Sequence, residues 1–430
     1  MDNHRNRAVT LLCLSGILVM LGTFVSVARS QPPAPLVSRI ESPTGSTFEK
    51  QFDQVWETVK DHFYDKDIHG VDWKKIGENY RSKLSQVKTK GEFQTLVNRM
   101  LDELHASHTT YLTDDDIEFY MLPAVMQQDL QGHKVEHIGI MGRQIGKEFV
   151  VTGVMDGGPA QKAGIQSGDH LLTADGQPFA SAGSFRDKEG KQVEVVYRHD
   201  GEAAIHTVVV TPVKQNILRA FLNATEASAH IIEIGGKKIG YVHLWTMANE
   251  AFKRTLDGLV EGKLHDTDGL ILDLRDGYGG MPFGYTDVFF RPDVVWEQQS
   301  QGQKPSTQHT GYGKPIVVLI NGGTRSAKEF FTYQMKTTHR AVIVGTKTAG
   351  AFLGAGSFDI GKDGLLELAV VGLRVDGNRL EVSGVSPDVE VPATAPYTDH
   401  DKQMAAATQK ALELISHRVA AGERNGIAAP

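Results

Sequence analysis

One serine in this chain stands where a nucleophile would. In the stretch PIVVLINGGTRSAKEFFTYQM, Pro315 to Met335, the segment from Ile316 to Ile320 is a continuous apolar, largely β-branched run, the pattern of a strand buried on both faces. Gly322 and Gly323 break that strand, and beyond Ser326 the residues Ala327, Phe330, Phe331 and Met335 recur at helical spacing. Ser326 thus falls at a strand-to-helix turn, which presents its hydroxyl at the sheet edge beside backbone N–H groups that have no partner within the helix. Those N–H groups can stabilise an oxyanion, so the arrangement suits acyl transfer by a serine. Ser326 with Glu329 three residues on also fits a capping box, and this stretch alone leaves both readings open. A serine nucleophile needs a base. The polar run HASHTTYL, His105 to Leu112, carries His108 between Ser107 and Thr109. A histidine near a helix end is ordinarily a surface or capping residue, and gains chemical meaning only if a distant nucleophile requires it.

Three amphipathic helices are predicted ahead of His108. Phe48 to Phe63 carries Phe52, Val55, Trp56 and Val59 at helical spacing; Asp72 to Leu84 and Gly91 to Leu104 follow, the last with Phe93, Leu96, Val97, Met100 and Leu101 on one side. From about Gln127 to Lys214 the pattern changes to short strands and glycine turns, and HIGIMG, EFVVTGVM and GGPAQKAGIQSGDHLLTADGQP follow in an order that resembles a PDZ domain. In that resemblance Ile138-Gly139-Ile140 is the loop whose N–H groups receive a peptide's C-terminal carboxylate, with the peptide adding a strand to an open edge. The other reading is a module that only packs against the rest of the chain.

Beyond a linker, Gln215 to Ala229, helical in places, strand patterns at Lys238–Trp245, Gly269–Asp276, Ile316–Ile320 and RAVIVG alternate with helical stretches such as Glu250–Glu261. This alternation implies a mostly parallel sheet with helical crossovers, whose active site lies beyond the C-terminal strand ends. Ser326 and the glycine pair Gly279-Gly280 both follow strands in this way, and the loop TKTAGAFLGAGS comes after RAVIVG. The fold class is therefore α/β: an N-terminal helical cap, an inserted PDZ-like β-rich domain, and an α/β core with a mostly parallel sheet. The expected boundaries are residues 1–30 for an export signal, 31–125 for linker and cap, 126–214 for the PDZ-like domain and 215–420 for the core.

The 430 residues are 40% hydrophobic, enough for a large core, and the formal charge of −7 with no Lys/Arg stripe argues against a nucleic-acid surface. Arg5 and Arg7, the apolar run Ala8 to Val27, and small residues around Ser26, Ala28 and Ser30 fit an export signal, which implies a periplasmic or secreted protein. The run is also about long enough for an uncleaved membrane anchor. Cys13, the only cysteine, lies inside this segment, so the mature chain is expected to have neither disulfides nor thiol chemistry. GYGGMP does not match a dinucleotide fingerprint, and no residues have metal-ligand spacing; Asp399-His400-Asp401 reads as a polar helix start. Neither cofactor nor metal is expected.

Taken together, the chain resembles serine peptidases of the C-terminal processing and tricorn family (S41). The resemblance runs over nearly everything after the signal: DW and SHT elements in the cap, the PDZ insertion, DLR-x-x-x-GG ending at Gly280, T-x-S-A-x-E around Ser326, and GV-x-PD at Gly384 to Asp388. It implies that Ser326 is the nucleophile and that the N–H of Ala327 and of Gly279 or Gly280 form the oxyanion hole. One departure bears on mechanism. The C-terminal processing branch places a lysine base in a GEPT-x-GKG loop, whereas GTKTAGAF has Ala351 at that position. Lys347 and Lys328, the lysines nearby, read as solvated. The tricorn-like branch implies instead that His108 is the base, oriented through Ser107 by Glu381 of LEVSGVSPD. The implied function is an exported serine endopeptidase that hydrolyses unstructured or C-terminally exposed polypeptides, its partners being those substrates. The alternative is a catalytically silent peptide- or ligand-binding protein on the same fold.

Overall fold

The computed structural model describes residues 37–38, 48–281, 284–392 and 401–424. The expected export signal and most of the linker after it lie outside these residues, as do Cys13, Asp399 and His400. Among the described residues no helix is long and apolar enough to cross a membrane.

The central sheet has six strands in the order His230–Ile234, Lys237–His243, Gly269–Asp273, Ile316–Ile320, Val342–Gly345 and Val389–Glu390. Only the first pair is antiparallel. Every residue of Gly269–Asp273 and Ile316–Ile320 is buried, which is why both segments are apolar without alternation. Their side chains still sort by face. Leu270, Leu272, Val318 and Ile320 pack on one side with Phe252, Leu256, Phe331 and Met335, while Ile271, Val317, Leu319 and Val344 meet Ala407, Ala411 and Ile415 of the long helix Lys402–Arg424 on the other.

The three cap helices form at Phe48–His62, Trp73–Arg81 and Lys90–Asp102, the last started by a Thr89/Glu92 capping box. The polar run His105 to Leu112 leads into the next element. Thr110–Thr113 is a strand that pairs antiparallel with Gly364–Gly372, in a second sheet that also holds Leu353–Ile360 and Val37–Ser38. Phe358, Leu366 and Leu368 of this sheet fill the cap core against Phe52, Val55 and Phe93. The segment read as the loop TKTAGAFLGAGS is thus a loop only to Phe352; Leu353–Ile360 is strand, its apolar signal broken by Gly354 and Gly356. A further helix, Ile117–Gln127, has no helical periodicity visible in its sequence because it is apolar nearly all round and carries Pro123.

The PDZ-like region is a five-strand antiparallel path, Ile140–Ile145, Glu148–Val154, His170–Ala174, Val193–Arg198 and His206–Val210, around its own core of Ile138, Phe149, Val151, Leu171, Phe185 and Val195. Ile140–Ile145 is an edge strand, open to an added β-strand. Asp156 at the base of this region accepts a bond from Trp245 Nε1 (3.1 Å) in the central core, and a side chain at Gly153 would run into that indole.

At the C-terminal end of strand Gly269–Asp273, Arg275 is held by Asp273 (Nη2–Oδ2 2.6 Å) and by Asp401 (Nη1–Oδ2 2.7 Å) from the start of the last helix. Burial alone would raise the Asp273 carboxyl, but the Arg275 guanidinium and His243 outweigh it and hold it well below its ordinary value. Removing one partner leaves a buried charge uncompensated, so Asp273→Asn should destabilise the fold by about 3–5 kcal/mol in urea unfolding. Because the folded carboxyl is the depressed one, this contribution is complete above the ordinary carboxyl value and is lost progressively as pH falls from there through the depressed folded value. The wild type should therefore lose stability toward acid more steeply than the variant. Equal acid dependence would remove Asp273 from the account.

Candidate active site

Ser326 is the N-cap of helix Ala327–Thr337, with φ +57° and ψ −125°, the sharp strained turn that lifts a side chain off a sheet edge. Ser326 and Glu329 stand in capping-box positions: Glu329 accepts from the Ser326 N–H (3.1 Å), and the Glu329 N–H reaches the Ser326 carbonyl (2.8 Å). Glu329 also collects the N–H groups of Gly350 (2.8 Å) and Ala351 (2.9 Å) and the Thr348 hydroxyl (2.6 Å). Burial raises its carboxyl pKa, and these four donors oppose the rise. The Ser326 N–H reaches the Ala351 carbonyl as well (3.0 Å).

On the other side of Ser326 stands Gly279. A Cβ there would lie 2.4 Å from Ser326 Cβ and 3.3 Å from Ala327 N, so only glycine lets this backbone come so near Ser326. Its carbonyl is pinned away from the site by Met247 N–H (2.9 Å) and the Thr246 hydroxyl (2.7 Å). Gly280 has φ +133° and packs on the Met247 backbone. Among the described residues neither glycine N–H donates a hydrogen bond, and the Ala327 N–H stands in the first helical turn, where no intrahelical acceptor exists.

The three residues expected to form and orient the base come together although 274 positions separate Ser107 from Glu381. Ser107 Oγ lies 2.9 Å from His108 Nδ1 and donates to Glu381 Oε2 at 2.9 Å. The hydroxyl has one proton, and an ionised carboxylate only accepts, so His108 Nδ1 carries its own hydrogen and Nε2 keeps the lone pair. Glu381 further accepts the Ser107 N–H (2.9 Å) and the Phe352 N–H (2.6 Å). One peptide unit therefore links the two halves: its carbonyl, from Ala351, bonds Ser326, and its N–H, from Phe352, bonds Glu381. His108 has φ +53° and is buried. That burial, with the Arg325 cation adding to it, takes its pKa well below the imidazole value of 6.5.

The lysines divide. Lys347 is exposed as expected, but Lys328 is wholly buried, which corrects the reading of a solvated side chain. Helix geometry turns it inward, where Nζ donates to the Asp276 carbonyl (2.8 Å) and burial lowers its pKa to about 7. Sequence reasoning also passed over Arg325. Its guanidinium lies 5.3 Å from the Tyr278 ring centre, Tyr278 bonds Glu367 (2.6 Å), and nearby Glu118 is pushed by burial to about 8. No periodicity or spacing marks these residues; only the turn before Ser326 places them.

In the PDZ-like region the Gly139 N–H is already taken by His137 Nδ1 (3.1 Å), and the side chains of Ile138 and Ile140 belong to that region's core. Burial holds His137 down at about 4, so its ring is neutral at ordinary pH.

Residues 238–391 match the family model of peptidase family S41, residues 46–102 that of the tricorn protease C1 domain, and residues 136–210 that of a PDZ domain. The chloroplastic C-terminal processing peptidase of Tetradesmus obliquus is 27% identical over 81% of this chain and 78% of its own. The carboxyl-terminal-processing protease of Synechocystis is 23% identical over 86% and 88%. Tricorn protease homolog 1 of Streptomyces coelicolor is 25% identical over 80% of this chain and 33% of its own. A solved photosystem II D1 C-terminal processing protease covers 81% of the chain and 94% of its own at 26% identity and a TM-score of 0.48.

A lysine whose folded pKa lies below its unfolded one releases a proton on folding, so stability rises with pH between the two values, about 7 and 10.5 here. Urea unfolding at pH 7 and pH 9 should show the wild type gaining about 2 kcal/mol from Lys328 over that interval. Lys328→Met should remove the gain; an unchanged slope would mean that Lys328 is charged in the fold.

Proposed function

For a chain that belongs to peptidase family S41 and is a serine-type hydrolase, we propose an exported endopeptidase of the Ser/His type, acting on unstructured or C-terminally exposed polypeptides. The observation that carries the mechanism is the Glu381–Ser107–His108 chain beside a nucleophile turn whose Ala351 offers no amine. In this mechanism His108 Nε2 removes the proton from Ser326 Oγ as the oxygen attacks the scissile carbonyl. The resulting oxyanion is received by the N–H of Ala327 and of Gly279 or Gly280, groups without another acceptor among the described residues. The proton then passes from Nε2 to the leaving amine. Water repeats the cycle on the acyl-enzyme, with His108 again as base. Through Ser107, Glu381 fixes the ring orientation and stabilises the imidazolium that forms. Substrate capture would use the open edge Ile140–Ile145. The loop Ile138-Gly139-Ile140 receives the terminal carboxylate once His137 gives up the Gly139 N–H. Export rests on the sequence pattern from Arg5 to Ser30.

Ser326→Ala should abolish fluorophosphonate labelling and peptide cleavage while the fold persists. Labelling that survives removes Ser326 from the mechanism, and peptide binding without any labelling of the wild type would favour the silent binder. His108→Ala should lower kcat by roughly four orders of magnitude. Ser107→Ala and Glu381→Gln should cost less, and Lys347→Ala close to nothing. A dead Lys328 or Lys347 variant beside an active His108→Ala would move the base to a lysine.

The base must be unprotonated to act. Since burial depresses its pKa, kcat/KM should hold through neutral pH and fall only on the acid side of 6.5. An acid limb at or above 6.5 would contradict the buried geometry. For the PDZ-like region, amidating a peptide's C-terminus should weaken its binding; equal affinity of acid and amide would exclude carboxylate capture there.

A further inference from the structure

At the other end of the central sheet from Ser326, where Gly269 and Ile316 begin their strands, three side chains from distant positions converge. His265 Nε2 is 2.9 Å from Asp293 Oδ2, and His309 Nδ1 is 3.2 Å from Asp293 Oδ1. The two imidazoles are stacked with centroids 3.3 Å apart, and the three ligand atoms all lie within 4.8 Å of one another. His265 is buried in the turn before Gly269, with Tyr312 edge-on to its ring. Asp293 and His309 are partly exposed, so the cluster opens to solvent on one side. Nothing in the mechanism above uses it.

We propose that His265, Asp293 and His309 bind one divalent transition-metal ion, with Zn²⁺ the occupant that this donor set fits best. Two imidazole nitrogens and one carboxylate oxygen suit zinc and its neighbours, whereas calcium and magnesium take mainly oxygen. Metal–ligand bonds near 2.0–2.1 Å put adjacent ligands of a tetrahedral ion about 3.3 Å apart, and an ion lies in the plane of each imidazole it binds. Binding therefore requires the partly exposed His309 ring to swing out of its stack on His265, as well as shifts of about an ångström. The fourth position, facing solvent, is left for water. A second feature supports a ligand role for His265: Asp266 Oδ1 stands 3.3 Å from its Nδ1, on the side away from Asp293. A carboxylate behind the ring is the common way to orient a metal-bound imidazole. Lys314 and Arg418 are the nearby cations, and Asp266, Asp268 and Asp293 offset them.

The ion would act as a cross-tie. Asp293 and His309 are the two feet of the hairpin Trp296–Gln298/Ser306–Gln308, whereas His265 belongs to the body of the core. Among the described residues the hairpin meets the core mainly at its base, and Val294, Val295 and Trp296 are each about half exposed. Coordinating both feet to His265 fixes the angle at which this arm leaves the sheet.

The test is calorimetric titration of the metal-stripped full chain with Zn²⁺ alone, beside a His309→Ala variant. The wild type should bind one equivalent that the variant lacks, and Asp266→Asn should weaken binding roughly tenfold. Bound Zn²⁺ should also slow proteolytic cleavage within 294–308 in the wild type and not in His309→Ala. His309 is partly exposed and outside the catalytic site, so its variant should fold and retain fluorophosphonate labelling. Absence of a saturable equivalent, or one that His309→Ala and Asp293→Asn both leave intact, would overturn the site.

Discussion

Two buried carboxylates grip consecutive peptide units of one loop, and the site depends on that grip. Glu329 takes the N–H groups of Gly350 and Ala351, and Glu381 takes that of Phe352. Glu329 sits in the first turn of the helix that Ser326 starts, and Glu381 holds Ser107 beside His108. The loop therefore ties the parallel sheet that carries Ser326 to the cap that carries His108. Charge-assisted bonds to backbone N–H groups are short and strongly directional, which suits them to fixing relative position to within a fraction of an ångström.

The backbone strain at the site is arranged around the same loop. Ser326, His108 and Val382 all have positive φ, and for the β-branched Val382 this is far outside ordinary preference. Val382 is held there by its N–H bond to the Gly350 carbonyl (2.7 Å), which turns the neighbouring Glu381 inward. Such conformations cost of order 1–3 kcal/mol each and persist only where surrounding contacts over-determine them. The contacts here are the helix start, the Gly279 backbone and the two carboxylates, so the strain and its support are concentrated in the same few residues.

What could be read from the sequence follows from range. Ile316–Ile320 is legible because both faces of the strand are buried and every residue answers to the same pressure. The cap helices are legible because 3.6-residue periodicity is local. Thr110–Thr113 was not, since its pairing partner lies some 250 residues later and four residues cannot display an alternation of their own. Lys328 looked solvated because its type outweighs its neighbours in any local reading; only the helix's orientation on the sheet sends it inward. The His265, Asp293 and His309 cluster was invisible for the same reason, its members standing 28 and 16 positions apart with nothing between them to mark a relation.

The alanine at position 351 also gains a physical meaning. Its N–H bonds Glu329 and its carbonyl bonds Ser326, so at this position the backbone does the work and the side chain is buried with only a methyl's volume. A lysine there would have to pass its stem out of this packed loop toward the nucleophile. Ala351 brings no amine to Ser326, so the proposed base has to come from another element, and His108, whose Nδ1 is engaged by Ser107, has only Nε2 left to offer. Lys328, the other amine close in sequence, has its nitrogen committed to the Asp276 carbonyl on the inner side of the helix. In the proposed mechanism the base therefore comes from the cap and not from this loop, because what the 351–352 peptide unit brings to Ser326 and Glu381 is backbone alone.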